Sequence, residues 1–188
     1  MKFIKLNIFA VLFICLLLCT NTFAQSSSAD ALTEDFITYQ QKIDPDVVKY
    51  LTDIDNYSKQ TTDIIEKKSK GNLNSLKKNM NNLYTKLVKH MNDSAKLLKT
   101  PEIQKYHEIS TKFVQTRQKI TNDFIDEFKK TGELTAETEK KIASKYEKEL
   151  NTLGEENAKI LTNIQKILNP DGNKNSINPH AAPSDAKK

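Results

Sequence analysis

Few side chains in this sequence have the type and spacing that acid–base catalysis or metal binding requires. The three histidines belong to no HExxH or ExxH pattern, which would place metal ligands on one helical face. The carboxylates of Asp123 and Glu127 lie one helical turn apart, but the nearby Lys119 and Lys130 favour a solvated charged face. Glycine-rich phosphate loops and the GxSxG nucleophile pattern are absent. We therefore predict no catalytic residues, no cofactor and no metal site, and hence a protein that is not an enzyme.

Lysines are concentrated in the stretch 73–99. It holds six lysines and one acid, Asp93, so its net charge is +5. At about 100° per residue, Lys78, Lys89 and Lys96 fall opposite its leucines and methionines. Such a line of charge would attract an anionic lipid surface, a polyanionic glycan or an acidic protein, unless it is an ordinary solvated face. Nucleic acid is not expected as a partner, because the chain has a single arginine and its basic stretch lacks interleaved aromatic residues.

Arg117 is the only arginine of the chain, and it falls within an apolar stripe. A buried guanidinium must find hydrogen-bond acceptors, because an unpaired charge in the core is costly. We hypothesise that Arg117 bonds to Glu149 or to the hydroxyl of Tyr146, with Asn157 as a second buried polar layer. The alternative is that the arginine stem covers the core while its head reaches water.

Helix start and stop signals are sparse and evenly spaced along the chain. Capping residues followed by proline, or lysines followed by glycine, occur at Asp44-Pro45, Gly71, Thr100-Pro101 and Gly132. Together with apolar residues at a 3.6-residue period, they predict helices near 30–42, 45–70, 73–99, 101–131 and 135–168. Short turns make neighbouring long helices antiparallel. The predicted fold is all-α, an elongated antiparallel (up-down) bundle of four long helices plus a short N-terminal helix.

Residues 1–24 have the layout of a secretory signal peptide. Two lysines precede an apolar run of 12 residues, and small residues then lead to a cleavage point between Ala24 and Gln25. The run is too short to span a bilayer, so the mature chain is predicted to have no transmembrane segment. We predict a secreted or periplasmic protein with a helical domain at 25–169 and a disordered tail at 170–188.

Three modifications depend on where the chain is made. Both cysteines lie in the predicted signal peptide, so the mature protein would be free of disulfides. The alternative is a bacterial lipid anchor on Cys19. Asn56 and Asn92 match the N-glycosylation pattern, which matters only for a eukaryotic source.

Two function classes follow from these observations. The first is an exported helical interaction protein that binds a protein or an anionic surface along its helical faces. The second is an extracytoplasmic chaperone or envelope-stress protein of the general type of the Spy and CpxP family, whose LTxxQ motifs are not matched, because 134–138 ends in Thr instead of Gln. A coiled-coil scaffold that forms homo-oligomers is compatible with either class.

Overall fold

A computed structural model describes residues 27–168 of the chain, and in this range the backbone forms helices joined by short connections, without any β-strand. The all-α class is therefore confirmed. The predicted signal peptide and C-terminal tail lie outside the described residues. The elements are α1 (Ser27–Thr38), a π-helical turn (Tyr39–Ile43), α2 (Asp44–Ile65), α3 (Leu73–Ser94), a 3-10 turn (Ala95–Leu97), α4 (Pro101–Thr131) and α5 (Ala136–Leu168).

The start of α5 and the end of α4 use the predicted residues Thr135 and Gly132, whereas the cap of α3, Asn72, was not predicted. The Asn72 side chain accepts a hydrogen bond from the Ser75 amide at 3.1 Å, and the Thr135 hydroxyl accepts one from the Thr138 amide at 3.2 Å. Helix α4 ends before Gly132, which has a left-handed φ of 79°. The bounds predicted for α4 agree with the structure, and those for α5 differ by one residue.

The predicted break before Asp44 is wrong, because α1 continues into α2 through the π-helical turn. The Asp44 amide donates to the Tyr39 carbonyl, five residues earlier, and Asp44 itself has helical dihedral angles. The ring of Pro45 would clash with the carbonyl of Gln41 in a regular α-helix. A widened turn at this place accommodates the proline without ending the helix.

Two predicted helix ends are also wrong. Helix α2 ends at Ile65 instead of residue 70, and Lys67 then takes a left-handed φ of 58°. The amides of Lys68 and Ser69 both donate to the carbonyl of Asp63, so this turn closes before Gly71 is reached. Helix α3 ends at Ser94, and its predicted last turn is the separate 3-10 turn.

Polar pairs between helices show the relative directions of α3, α4 and α5. From α3 to α4, Lys77 pairs with Asp126 and the Met91 carbonyl pairs with His107, so residue numbers fall on one helix as they rise on the other. The same holds from α4 to α5, where Thr116 meets Glu149 and Asp123 meets Lys145. These pairs show that α4 runs antiparallel to both of its neighbours.

The hydrophobic core draws on every α-helix of the described chain. Helix α2 packs against α3, and α1 packs against α4 and α5. A second, smaller cluster joins α4 to the N-terminal half of α5 and consists of Ile120, Ile142 and Tyr146. Over residues 27–168, no helix combines the length and apolar character needed to cross a membrane.

Candidate functional site

The lysine ridge, which we define as Lys78, Lys89 and Lys96, lies on the solvent side of α3 and the 3-10 turn that follows. All three lysines are exposed. The lysine side of α3 faces solvent because the opposite, apolar side of the helix is buried against the other helices. The buried apolar residues are Leu76, Met80, Tyr84, Leu87 and Met91. The ridge covers 18 residue steps, which is about 27 Å at 1.5 Å per residue. All three lysines predicted to face solvent are thus exposed.

Charge on the ridge is only partly neutralised by its own helix. Lys89 donates to Asp93 at 2.6 Å, and this hydrogen bond and the carboxylate charge raise the pKa of Lys89 above its ordinary value. In the described part of the chain, Lys78 and Lys96 form no ion pair within 4 Å. Exposed pairs such as Lys89–Asp93 exchange readily with water and other partners. The three lysines of the ridge therefore stay accessible to a partner.

Carboxylates lie on both flanks of the ridge. On the α4 side, Lys77 pairs with Asp126 at 2.5 Å. On the α2 side, the exposed carboxylate of Asp46 lies 3.9 Å from the Nδ1 atom of His90. The basic surface is consequently one helix wide and bordered by acidic groups from its two neighbours.

Arg117, Glu149 and Tyr146 each have a partner that the sequence hypothesis did not name. Arg117 of α4, whose side chain is 13% exposed, forms an ion pair with the exposed Asp55 of α2. Glu149 instead lies 2.8 Å from the hydroxyl of Thr116, and the hydroxyl of Tyr146 donates to Asp123 at 2.7 Å.

The helical period of α4 explains this difference. Thr116 is completely buried and contacts Glu149 of α5. The next residue, Arg117, is turned by about 100° and reaches α2 instead. Asn157 is buried as predicted, but its Oδ1 atom has no hydrogen-bond partner among the described residues. It therefore does not extend a polar layer through that oxygen.

Asp35 of α1 is the polar residue that sequence reasoning missed. Asp35 is only 1% exposed. Its carboxylate accepts three hydrogen bonds: from the Lys99 amide at 2.7 Å, from the Thr100 amide at 2.5 Å and from the Thr100 hydroxyl at 2.8 Å. Thr100 is the N-cap of α4 but makes no side-chain cap of its own. Asp35 thus caps the N-terminus of α4 although it lies 65 residues before Thr100 in the sequence. Its carboxylate also interacts favourably with the positive end of the α4 helix dipole.

His107 is also more buried than its sequence position indicated, being 2% exposed. Its Nε2 atom lies 2.6 Å from the Met91 carbonyl, which can only accept, so Nε2 carries the hydrogen and Nδ1 faces the Tyr39 hydroxyl at 3.3 Å. Burial lowers the pKa of His107, and nearby His90 lowers it further, although the bond to Met91 opposes them. The neutral ring of His107, which belongs to α4, therefore lies between α3 and the π-helical turn that joins α1 to α2, away from solvent.

A metal site and a ligand cavity are two further kinds of site that the described residues could form. Across residues 27–168, no group of three or more His, Cys, Asp or Glu side chains is arranged to hold a metal ion. An open cavity of about 480 Å³ lies at the end of α2 beside the α4–α5 turn, where Ile65, Phe128 and Leu134 line it. Charged residues at its rim have both signs, so its lining favours no particular ligand charge.

Comparisons with known proteins were made at the levels of family, sequence and structure. No family model, curated protein or solved structure gives a significant match. The residues themselves therefore supply the argument for function.

Proposed function

We propose that this protein is an exported, non-enzymatic helical protein that binds an anionic partner along the lysine ridge of α3. The observation that carries the proposal is a line of three exposed lysines on one face, in a segment with six lysines and one acid. Long-range attraction by such a charge line raises the rate of encounter with an anionic partner. The proposed frame of this surface is an elongated up-down bundle with α3 along one side.

Export is supported by the pattern of the first 24 residues. We propose cleavage between Ala24 and Gln25, followed by release into the periplasm or the extracellular space. The mass of the mature N-terminus tests this directly. A chain that begins at Gln25 supports the proposal, an acylated chain that begins at Cys19 indicates a lipid anchor, and an intact chain in the cytosol contradicts export.

Neutralising the ridge is expected to weaken partner binding by about 10–100-fold, since each exposed lysine contributes roughly 0.5–1 kcal/mol to attraction. The test compares wild type with Lys78/Lys89/Lys96→Gln in capture from native envelope or culture medium, followed by titration of the captured component. The matched control is Lys140/Lys148/Lys159→Gln, which removes three exposed lysines from α5.

The control variant should bind within about twofold of wild type, and rising salt should weaken wild-type binding. Equal losses in the two triple variants would indicate an effect of net charge alone. Undiminished binding by the ridge variant would contradict the proposal.

The alternative function is an extracytoplasmic chaperone, which would need a concave apolar surface for unfolded clients. In the described part of the chain, the exposed large hydrophobic side chains are Ile37, Val48 and Leu97. Isolated exposed side chains of this kind are normal for folded proteins. This observation favours the binding function. Suppression of client aggregation at a low molar ratio would instead support the chaperone.

A further inference from the structure

We infer that the partner of the lysine ridge is a linear polyanion, a polymer with anionic groups repeated along a thin chain, and not a flat anionic membrane. This inference rests on the proposed function and specifies the kind of partner. It follows from the width of the ridge and from the charges on either side of it.

The ridge has the shape of a line. Lys78 and Lys89 are 11 residues apart, a separation that returns to within about 20° of the same helical direction. Lys96 follows seven residues later, so the three lysines span about 27 Å along α3 and the 3-10 turn that follows it. A flexible polyanion can lie along such a line and place successive anionic groups near successive lysines.

Carboxylates flanking the ridge disfavour a flat anionic surface. A plane that touches α3 also approaches Asp46 of α2, which is 60% exposed, and Asp126 of α4, which is 55% exposed. The Debye length of about 8 Å in physiological salt allows these acids to repel such a plane at contact distance. A thin chain along α3 meets the lysines without covering both neighbours.

The charge of the N-terminal segment strengthens this argument. Residues 27–65 contain eight acids and three lysines, a net charge of −5, next to the +5 of the stretch 73–99. Helix α2 of this segment packs directly against α3. Interfacial helices that lie on membranes bury an apolar face in the lipid, whereas the apolar face of α3 is already buried in the protein core.

The experiment measures binding of the full mature chain to two probes, dextran sulfate and vesicles made of equal parts phosphatidylcholine and phosphatidylglycerol. We expect wild type to bind dextran sulfate, Lys78/Lys89/Lys96→Gln to bind at least about tenfold more weakly, and Lys140/Lys148/Lys159→Gln to bind about as well as wild type. We expect wild type to bind the vesicles at least about tenfold more weakly than dextran sulfate.

A variant without the flanking acids tests the physical cause. Asp46→Asn/Asp126→Asn is expected to increase vesicle binding, whereas Glu137→Asn/Glu155→Asn, which removes two exposed acids from α5, should increase it much less. Equal increases from the two acid variants would contradict the flanking argument.

The outcomes separate the inference from the proposed function. Ridge-dependent vesicle binding as tight as dextran sulfate binding overturns the linear polyanion and leaves the anionic partner in place. If the protein fails to bind dextran sulfate but captures an acidic protein through the ridge, the linear polyanion is likewise overturned and the anionic partner remains. Failure of both probes and of ridge-dependent capture overturns both.

Discussion

Replacing Asp35 with alanine is expected to lower the free energy of unfolding by about 3–5 kcal/mol. The carboxylate is the acceptor for two amides and one hydroxyl at the N-terminus of α4, and the residue is almost completely buried. Each buried donor that loses its acceptor costs about 1–3 kcal/mol, and the favourable charge at the helix start is lost as well. Urea unfolding followed by circular dichroism measures the change.

Two further variants make this test specific to the cap. Asp35→Asn keeps one acceptor oxygen and the shape but removes the charge, so we expect an intermediate loss. Glu34→Ala changes the exposed neighbour on the same helix and should alter stability by less than about 0.5 kcal/mol. A loss below about 1 kcal/mol in Asp35→Ala would show that Asp35 does not fix α1 to α4.

Replacing Asp44 with asparagine is expected to stabilise the protein by about 1–3 kcal/mol at pH 7.5. Burial raises the pKa of Asp44 to about 6 in the folded chain, from 3.8, and its Oδ1 atom has no hydrogen-bond partner in the described residues. The folded state therefore binds the proton more tightly than the unfolded state. The stability that protonated Asp44 contributes to the folded state is fully present below pH 3.8, and it is lost as the pH rises through about 6.

The pH dependence distinguishes this effect from a general change at the helix start. The advantage of Asp44→Asn should decrease as the pH falls from 7.5 to 4, because wild-type Asp44 becomes neutral there. His107 acts in the opposite direction, since its lowered pKa makes acid destabilising as the pH falls through its ordinary value of 6.5. Both proteins contain His107, so the difference between them isolates Asp44. Asp30→Asn, at an exposed site of α1, is the control, and a pH-independent gain from Asp44→Asn would contradict the assignment.

The parts of the fold that were predicted correctly depend on neighbours in sequence. Helix α4 begins at Pro101, whose ring favours the first helical position, and ends before Gly132, whose left-handed φ closes the last turn. The join between α1 and α2 was wrong because Pro45 can either begin a helix or be accommodated inside one. The π-helical turn that decides between these outcomes depends on the packing of Tyr39 and Ile43, both of which are buried.

In the candidate site, too, the features that depend on neighbours in sequence were predicted, and those that depend on helix packing were not. Exposure of Lys78, Lys89 and Lys96 follows from the helical period and was predicted. The acids beside the ridge come from α2 and α4, so their positions depend on how those helices pack. The partner of Arg117 was missed for a related reason: a step of one residue from Thr116 redirects the side chain from α5 to α2. Asp35 gave no cap signal, because the helix that it caps begins 66 residues later.

The central claim is that the exposed face of α3 binds polyanions, and backbone chemical shifts measured during titration with dextran sulfate test it most directly. We predict that the largest amide shifts fall at and beside Lys78, Lys89 and Lys96, that they saturate, and that added salt reverses them. The exposed face of α5 around Lys140, Lys148 and Lys159 should change little. Shifts that are largest on α5, or that are spread evenly over all helices, would contradict the account.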